Sequence, residues 1–317
     1  MAVIFVHKYP SVPVVKALIC DGLTMTIDVP VGKQQQIKKC IQELPGKAPK
    51  GNYHVSGSLP LNNQYLPSGA DKTGETDLIL QCDPMDKYNK NNMRFLRAKW
   101  NPAKTDPLEV RAALCSVAPW LFDELMFNGT VTQIDLTVDV EGVRCDDLYF
   151  HYPKSTITEV RTASGRTEYI GGEKSPIRWR LYDKKAQVKQ KNKGKAKPLQ
   201  ESVPEQEVTR IELVKKPYCK LFELLAMPSP FVKLTIAAHN NLIVHNEPCW
   251  GFFLDSCQLR GASSALQKIS GSDLHGKFKA RLLKGQAEWW NPENVWAQLP
   301  AVLAKIANIP VPEDHAA

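Results

Sequence analysis

The sequence lacks the signatures of several common enzyme classes. It contains no G-x-x-x-x-G-K-[ST] loop and no G-x-G-x-x-G run, so nucleotide hydrolysis and dinucleotide binding have no supporting motif. It contains no G-x-S-x-G segment, which removes the signature of a serine hydrolase. No two cysteines form a C-x-x-C pair, and His239 and His245 stand six residues apart. A zinc site is therefore not expected, and each of these histidines is interpreted as a satisfied surface residue.

Long apolar runs and a secretion leader are also missing. No apolar run approaches the roughly 20 residues that a membrane span needs, and residues 1–8 lack the charged-then-apolar layout of a signal peptide. The eight cysteines are scattered through apolar or mixed segments, which favours a reducing compartment and core packing over disulfides. These absences predict a cytoplasmic protein.

What is present is a basic, globular composition. The chain has 317 residues, 43% of them hydrophobic, and a net charge of +8. Positive charge favours a polyanionic partner, with nucleic acid first and an anionic membrane surface second. We expect an α+β protein with a central antiparallel sheet and a helical C-terminal region. Its expected segments are residues 1–106, a core at residues 107–217 with a basic loop at residues 184–207, and helices in residues 218–317.

Patterns along the chain predict the elements outside the core. The first segment is expected to contain strands at residues 23–29, 78–82 and 93–100, a helix at residues 33–44, loops at residues 45–76 and a turn at residues 86–92. Asp106 and Pro107 open a helix that runs to about Met126. Helical spacing recurs at residues 218–227, 250–269, 273–285 and 293–307.

Three alternating segments carry the polar residues of the core. Residues 131–140 form a strand with Asp135 and Asp139 on its polar face. Residues 165–185 form a hairpin around Gly171 and Gly172. Its second strand should have Trp179 and Leu181 on one face, and on the other Arg178, Arg180, Tyr182 and Lys184. Residues 208–214 return as a strand with Arg210 and Glu212 on the same side.

The residue types in these segments favour phosphoryl chemistry. Converging oxygen ligands from Asp135, Asp139 and Glu212 would suit Mg²⁺ or Mn²⁺. A tyrosine beside cations can attack phosphorus because the cations stabilise its phenolate. The alternatives stay open for every residue: each aspartate could be solvated, each tyrosine could be a packing residue, and Glu212 could pair with Arg210 at the surface.

The order of these motifs resembles the trans-acting replication initiation factors of rolling-circle plasmids, conjugative elements and some phages. That family has a D-L-x-x-D strand, a T-x-Y-x-G-S-R-x-S hairpin, an R-x-Y-[DN]-K strand and an R-x-E-L strand. The matching segments are residues 135–139, 167–175, 180–184 and 210–213, and Gly172 and Glu173 replace the serine and arginine of the hairpin pattern. The match covers residues 131–215 and, more loosely, the helical region that follows.

The resemblance implies a relaxase-like endonuclease that nicks and rejoins single-stranded or extruded origin DNA with a divalent metal. A tyrosine would hold the 5′ end covalently and free a 3′-hydroxyl. Tyr182 is the preferred nucleophile and Tyr169 the second candidate. Lys184 and Arg180 are expected to assist, and the DNA-contacting residues are expected to be Arg178, Lys174, Lys185, Lys189 and Arg210.

The resemblance also implies partners. It points to a host helicase and polymerase in bacterial cytoplasm, to no membrane partner, and it is compatible with a homodimer. Two alternatives remain: a non-catalytic sequence-specific DNA-binding protein on the same fold, and a structural protein with a basic face. The first predicts salt-dependent DNA binding without a covalent adduct.

Overall fold

The computed structural model describes residues 12–44, 52–62, 77–85, 93–153, 155, 158–161, 165–195, 200–243 and 247–310. The strands are β1 Val14–Val15, β2 Ile19–Ile27, β3 Tyr53–Leu59, β4 Leu78–Pro84, β5 Leu96–Trp100, β6 Thr130–Glu141, β7 Leu148–His151, β8 Thr158–Arg161, β9 Thr167–Ile170, β10 Ile177–Asp183, β11 Val208–Lys215, β12 Cys219–Lys220 and β13 Thr235–Ala238. The helices are α1 Val31–Gln42, α2 Pro107–Val117, α3 Leu121–Asn128, α4 Lys184–Asn192, α5 His239–Leu242, α6 Pro248–Arg260, α7 Ala262–Lys268, α8 Asp273–Lys284, α9 Pro292–Trp296 and α10 Leu299–Ala307.

The chain forms two compact units that interleave along the sequence. One unit holds Met1–Leu18, Thr137–Val214 and Pro228–Ala297; we call it the tyrosine unit. The other holds Ile19–Leu136, Lys215–Met227 and Gln298–Ala317; we call it the amino-terminal unit. Each unit is built from non-consecutive stretches of the chain, and the division into residues 1–106, 107–217 and 218–317 stays a prediction. The predicted α+β class with antiparallel strands is confirmed.

In the amino-terminal unit, the strand order is β3-β4-β5-β2-β6. The pairs β3–β4, β4–β5 and β2–β5 are antiparallel. Helix α1 contacts β3 and β4 and buries Ile37 and Ile41. Strand side chains such as Leu23, Met25 and Leu80 are almost fully buried, and their apolar area removed from water stabilises the unit.

In the tyrosine unit, the strand order is β6-β11-β10-β9-β8, and β1 also pairs with β6. A second antiparallel pair joins β7 and β13. Helices α6, α7 and α8 pack around a buried cluster that includes Trp250, Phe253 and Phe278. Among the described residues, no helix combines the length and apolar character that a membrane span requires.

The core strands follow the predicted alternation. The predicted strand at residues 131–140 is β6, and its side chains Ile134, Leu136, Val138 and Val140 are buried. The predicted strand at residues 208–214 is β11, with Ile211 fully buried. The predicted hairpin is the antiparallel pair β9–β10. All eight cysteines are free thiols, as expected, although Cys249 is exposed.

Several predicted boundaries were wrong. The helix expected from Asp106 to Met126 is two helices, α2 and α3, because Pro119 disfavours helical backbone at the preceding residue, Ala118. The loops expected at residues 45–76 include strand β3, whose residues pair with β4 from Tyr53 to Leu59. The turn expected at residues 86–92 lies outside the described residues.

Two further corrections concern the basic segment and the C-terminal region. The loop expected at residues 184–207 begins with helix α4, which is capped by Asp183: its Oδ1 accepts from the Ala186 amide at 2.8 Å. Helix α4 also buries Val188, so the segment is anchored rather than free. The region expected to be helical after residue 218 contains the strands β12 and β13.

Candidate active site

The β9–β10 hairpin brings both candidate tyrosines onto one face of the sheet. Tyr169 pairs with Arg180, and Tyr182 pairs with Thr167. The connection begins at Gly171, whose φ of +97° favours glycine, and a Cβ there would lie 2.8 Å from the Ile177 carbonyl oxygen. The turn therefore sets which residues of the two strands face each other.

The two faces of this hairpin have different surroundings. Trp179 and Leu181 point into the core and are fully buried, as predicted. The Trp179 ring packs edge-on against Phe231 with centroids 5.1 Å apart. The opposite face, which we call the polar face, carries Glu159 and Arg161 from β8, Tyr169 from β9 and Arg178, Arg180 and Tyr182 from β10, with Arg210 and Glu212 from β11 and Asp139 from β6. This packing fixes the side chains of the polar face because each core anchor alternates with a polar residue.

Tyr182 and Glu212 form the tightest contact on the polar face. The Tyr182 hydroxyl donates to Glu212 Oε1 at 2.5 Å, and Arg180 Nη1 donates to Glu212 Oε2 at 3.2 Å. Tyr182 is only 2% exposed. Burial raises the pKa of the Tyr182 phenol well above its usual value, and the negative charge of Glu212 raises it further. The pair is therefore a neutral phenol donating to a carboxylate that an arginine holds in place.

Asp139 is engaged by Arg210. The Arg210 guanidinium donates to both oxygens of Asp139, with Nε to Oδ1 at 2.6 Å and Nη2 to Oδ2 at 2.7 Å. Such a two-pronged pair is stronger and more directional than a single contact. It orients Arg210 on β11, two residues before Glu212.

Tyr169 lies among guanidinium groups. Its ring centroid is 4.6 Å from the guanidinium carbon of Arg178, 5.1 Å from that of Arg161 and 6.0 Å from that of Arg180. Unlike Tyr182, it is half-buried. The face of an aromatic ring attracts cations, so the phenol gathers three arginines from two strands.

The three predicted metal ligands have different partners. Gln133 Nε2 donates to Asp135 Oδ1 at 3.0 Å, whereas Arg210 donates to Asp139, and Tyr182 and Arg180 donate to Glu212. Among the described residues, no group of three or more histidine, cysteine, aspartate or glutamate side chains is placed to hold a metal ion. Because Arg210 occupies both Asp139 oxygens, and Tyr182 and Arg180 occupy those of Glu212, these carboxylates do not fit a metal centre in this arrangement.

The predicted lysines are spread over several surroundings. Lys184 was expected on the strand face with Tyr182 but is the first residue of α4, because β10 ends at Asp183. Lys185 donates to the Glu205 carbonyl at 2.8 Å and to Glu207 at 3.1 Å. The side chains of Lys174 and Lys189 are exposed. The DNA-contacting roles of these lysines stay predictions.

Sequence reasoning missed three charged residues of this unit. Strand β8 places Arg161 beside Tyr169, and the alternation of residues 158–161 was a usable strand signal. Arg166 and Glu168 form a buried ion pair at 2.8 Å on the core side. No local signal reveals that pair, since a charged residue in a strand is ordinarily read as exposed. Of the histidines, His239 is paired through Nδ1 with the Tyr149 hydroxyl at 2.9 Å, and His245 lies outside the described residues.

The comparisons with known proteins give little support to a family assignment for this chain. No protein-family model matches the chain, and no curated protein matches it. Among solved structures, it is similar to a rolling circle replication initiator protein from Geobacillus stearothermophilus, with 15% sequence identity and a TM-score of 0.35. That alignment covers 78% of this chain and 98% of the other. A likeness this distant does not establish a family, so any functional proposal rests on the residues of the site.

Proposed function

We propose that this chain initiates rolling-circle replication by nicking and rejoining single-stranded or extruded origin DNA through a tyrosine. The observation that carries the proposal is the 2.5 Å contact between the Tyr182 hydroxyl and Glu212, on a sheet face rich in arginine. A phenol attacks phosphorus after losing its proton, and a carboxylate at hydrogen-bond distance can accept that proton. The motif order along residues 135–213 supports the same chemistry.

Each group on the polar face has a role in this proposal. Glu212 accepts the Tyr182 proton while the phenol oxygen forms a bond to phosphorus and the bond from phosphorus to the 3′ oxygen breaks. The 3′ oxygen takes up a proton from water and leaves as a hydroxyl, and a 5′-phosphotyrosine link remains; Glu212 then gives its proton back to water. Arg180, 4.3 Å from the Tyr182 ring centroid, compensates for the phenolate charge as it develops. Rejoining reverses these steps, with the 3′-hydroxyl as the attacking group.

The remaining cations position the site or bind DNA. Arg210, oriented by Asp139, is a positioning residue on the strand that carries Glu212. The exposed side chains of Lys174 and Lys189 are suited to backbone phosphates, since ammonium groups bind phosphate as point charges. A host helicase and polymerase, and a homodimer, belong to the same proposal.

A divalent metal has no place in the steps above. The carboxylates predicted as ligands are engaged by arginine and tyrosine, and they do not form a metal group. The Mg²⁺ or Mn²⁺ requirement implied by the resemblance stays a prediction. It is decided by comparing adduct formation with added Mn²⁺ and with a chelator.

A second function has one observation in its favour. Tyr182 is 2% exposed, and its hydroxyl must be uncovered before it can reach phosphorus. A protein that binds origin DNA without cutting it would need no such movement. This non-catalytic reading predicts binding that weakens with salt and leaves no covalent complex.

The test is trapping of a covalent complex. Labelled single strands tiled across the origin region are incubated with the protein and Mn²⁺, and complexes that resist denaturation are counted. Tyr182→Phe should abolish the adduct and retain DNA binding, because the substitution removes only the attacking oxygen. Tyr218→Phe, at a tyrosine 68% exposed in the other unit, is the matched control.

The outcomes separate the candidates. A full-strength adduct in Tyr182→Phe, together with its loss in Tyr169→Phe, would move the nucleophile to Tyr169. An adduct that survives in both variants would contradict a tyrosine of this site. Salt-dependent binding by the unmodified protein with no adduct under any metal condition would leave the non-catalytic function.

A further inference from the structure

The carboxylates of the polar face are each matched to an arginine. Asp139 pairs with Arg210 at 2.6 Å. Glu212 pairs with Arg180 at 3.2 Å. Glu159, at the start of the same face on β8, pairs with Arg161 at 2.7 Å. Three arginines therefore balance the three negative charges of the face, and Arg178 adds a further positive charge.

Arg178 differs from the other arginines of the polar face because it has no carboxylate partner of its own among the residues that the structure describes. Among the described residues, no carboxylate forms an ion pair with its guanidinium, although, after the Arg161 hydrogen bond, its charge helps to lower the pKa of Glu159. Its Nε atom is buried and has no hydrogen-bond acceptor in the described part of the chain, as is also true of Arg180 Nε. A buried donor without a partner costs free energy. This buried donor lies next to the candidate tyrosines.

The position of Arg178 is held by Tyr169. The guanidinium carbon lies 4.6 Å from the ring centroid, and Arg161 and Arg180 approach the same ring at 5.1 Å and 6.0 Å. Three guanidinium groups around one ring concentrate positive potential there. Such a point attracts an anion, and the planar fork of arginine matches a phosphate in geometry.

We infer that Arg178 and Tyr169 form a binding site for one backbone phosphate of single-stranded nucleic acid. Arg178 donates to the phosphate oxygens, and the Tyr169 ring holds the guanidinium in position. The ligand class rests on the proposed function, which supplies single-stranded DNA at this face. The site is separate from the Tyr182–Glu212 contact, and it gives Tyr169 a binding role in place of a catalytic one.

The test is the salt dependence of DNA binding. Affinity for a labelled oligothymidylate is measured by fluorescence anisotropy over a series of salt concentrations. Arg178→Gln should weaken binding about tenfold and flatten the slope of log affinity against log salt by about 0.7, the value for one phosphate contact on a single strand. The matched control is Arg144→Gln in the same unit, whose arginine is half exposed and pairs with Asp146 at 3.2 Å.

A second pair of variants tests the role of the ring. Tyr169→Phe keeps the aromatic face and should bind like the unmodified protein. Tyr169→Ala removes the ring and should lose affinity nearly as far as Arg178→Gln. Thermal unfolding of each variant checks that it is folded. An unchanged slope in a folded Arg178→Gln variant, or no single-strand binding by the unmodified protein, would overturn the inference.

The salt-slope measurement tests the phosphate site separately from the nicking activity. A flatter slope in Arg178→Gln from a protein that forms no covalent adduct would keep the phosphate site and reject the nicking proposal. A normal covalent adduct together with an unchanged slope in Arg178→Gln would keep the nicking proposal and reject the phosphate site.

Discussion

Strand β9 and its neighbours carry ion pairs on both sides of the sheet, and the two sides differ in surroundings. On the core side, the Arg166 and Glu168 side chains are 2% and 0% exposed. On the polar face, those of Arg180 and Glu212 are 34% and 14% exposed. The charges of an ion pair withdrawn from water must be fully compensated within the protein. A partly exposed pair can exchange its partners for water or a ligand. The core pair is suited to holding the hairpin, and the polar pairs are suited to meeting a ligand.

The core pair has several supporting contacts. Arg166 also donates to the Leu148 carbonyl at 3.1 Å and to the side chain of Gln258 on α6. Gly261, between α6 and α7, has a φ of +79°, and a Cβ there would lie 2.6 Å from Glu168 Oε1. Burial raises the pKa of Glu168 to about 7, although the Arg166 charge opposes the shift. The β9 strand is thereby tied to the helices behind it.

The largest expected effect comes from breaking the core pair. Arg166→Met removes one partner and leaves Glu168 buried without its cation, so unfolding free energy at pH 8 should fall by about 3–5 kcal/mol. Urea unfolding followed by tryptophan fluorescence measures it. The double replacement with Glu168→Gln should recover much of the loss, because no charge then stays buried alone. A loss below about 1 kcal/mol in the single variant would contradict this account.

The next effect is a pH dependence of stability. Because the folded-state pKa of Glu168 is raised to about 7 from an ordinary value near 4.5, the folded protein binds more protons than the unfolded chain between these values. Stability from this group is therefore fully present at low pH and declines as pH rises towards 7, by on the order of 3 kcal/mol. Glu168→Gln should flatten this part of the curve, measured by urea unfolding from pH 4.5 to 8. An unaltered curve would show that Glu168 is ionised throughout.

The smallest effect belongs to the polar face. Asp139→Asn weakens the two-pronged contact and leaves the Arg210 guanidinium, 10% exposed, partly uncompensated. We expect a loss of about 1–3 kcal/mol in the same urea assay. Glu159→Gln, at a pair exposed by half or more, should leave the unfolding midpoint unchanged. Equal losses in the two variants would remove the distinction between the more buried Asp139 pair and the exposed Glu159 pair.

Much of the tyrosine unit's sheet was predictable from the chain. Strand β6 alternates apolar and polar residues from Ile134 to Glu141, and β11 does so from Arg210 to Leu213, so the faces of these stretches could be assigned without knowledge of their neighbours. The hairpin could be predicted because Gly171 supplies a backbone conformation that few other residues adopt. The placement of Arg210 and Glu212 on one side of β11 follows from the same two-residue period.

What could not be predicted depends on distant partners. Strand β3 contains glycine, serine and histidine, which are poor strand formers, and it is held by pairing with β4. The burial of Tyr182 and its contact with Glu212 depend on which strands become neighbours, and alternation alone does not reveal that. The start of α4 was recognisable in principle, since Asp183 has the residue type of a helix cap.

The alternation of Glu168 and Tyr169 along β9 has a consequence for precision. A slip of one residue against β10 would carry Glu168 out to the arginines and push the Tyr169 phenol into the space beside Gln258 and Gly261. This slip would leave Arg166 without the Glu168 carboxylate and Arg178 without the Tyr169 ring. The buried glutamate thus fixes the register of β9 against β10, and with it the position of the Tyr169 ring beside the Arg178 guanidinium.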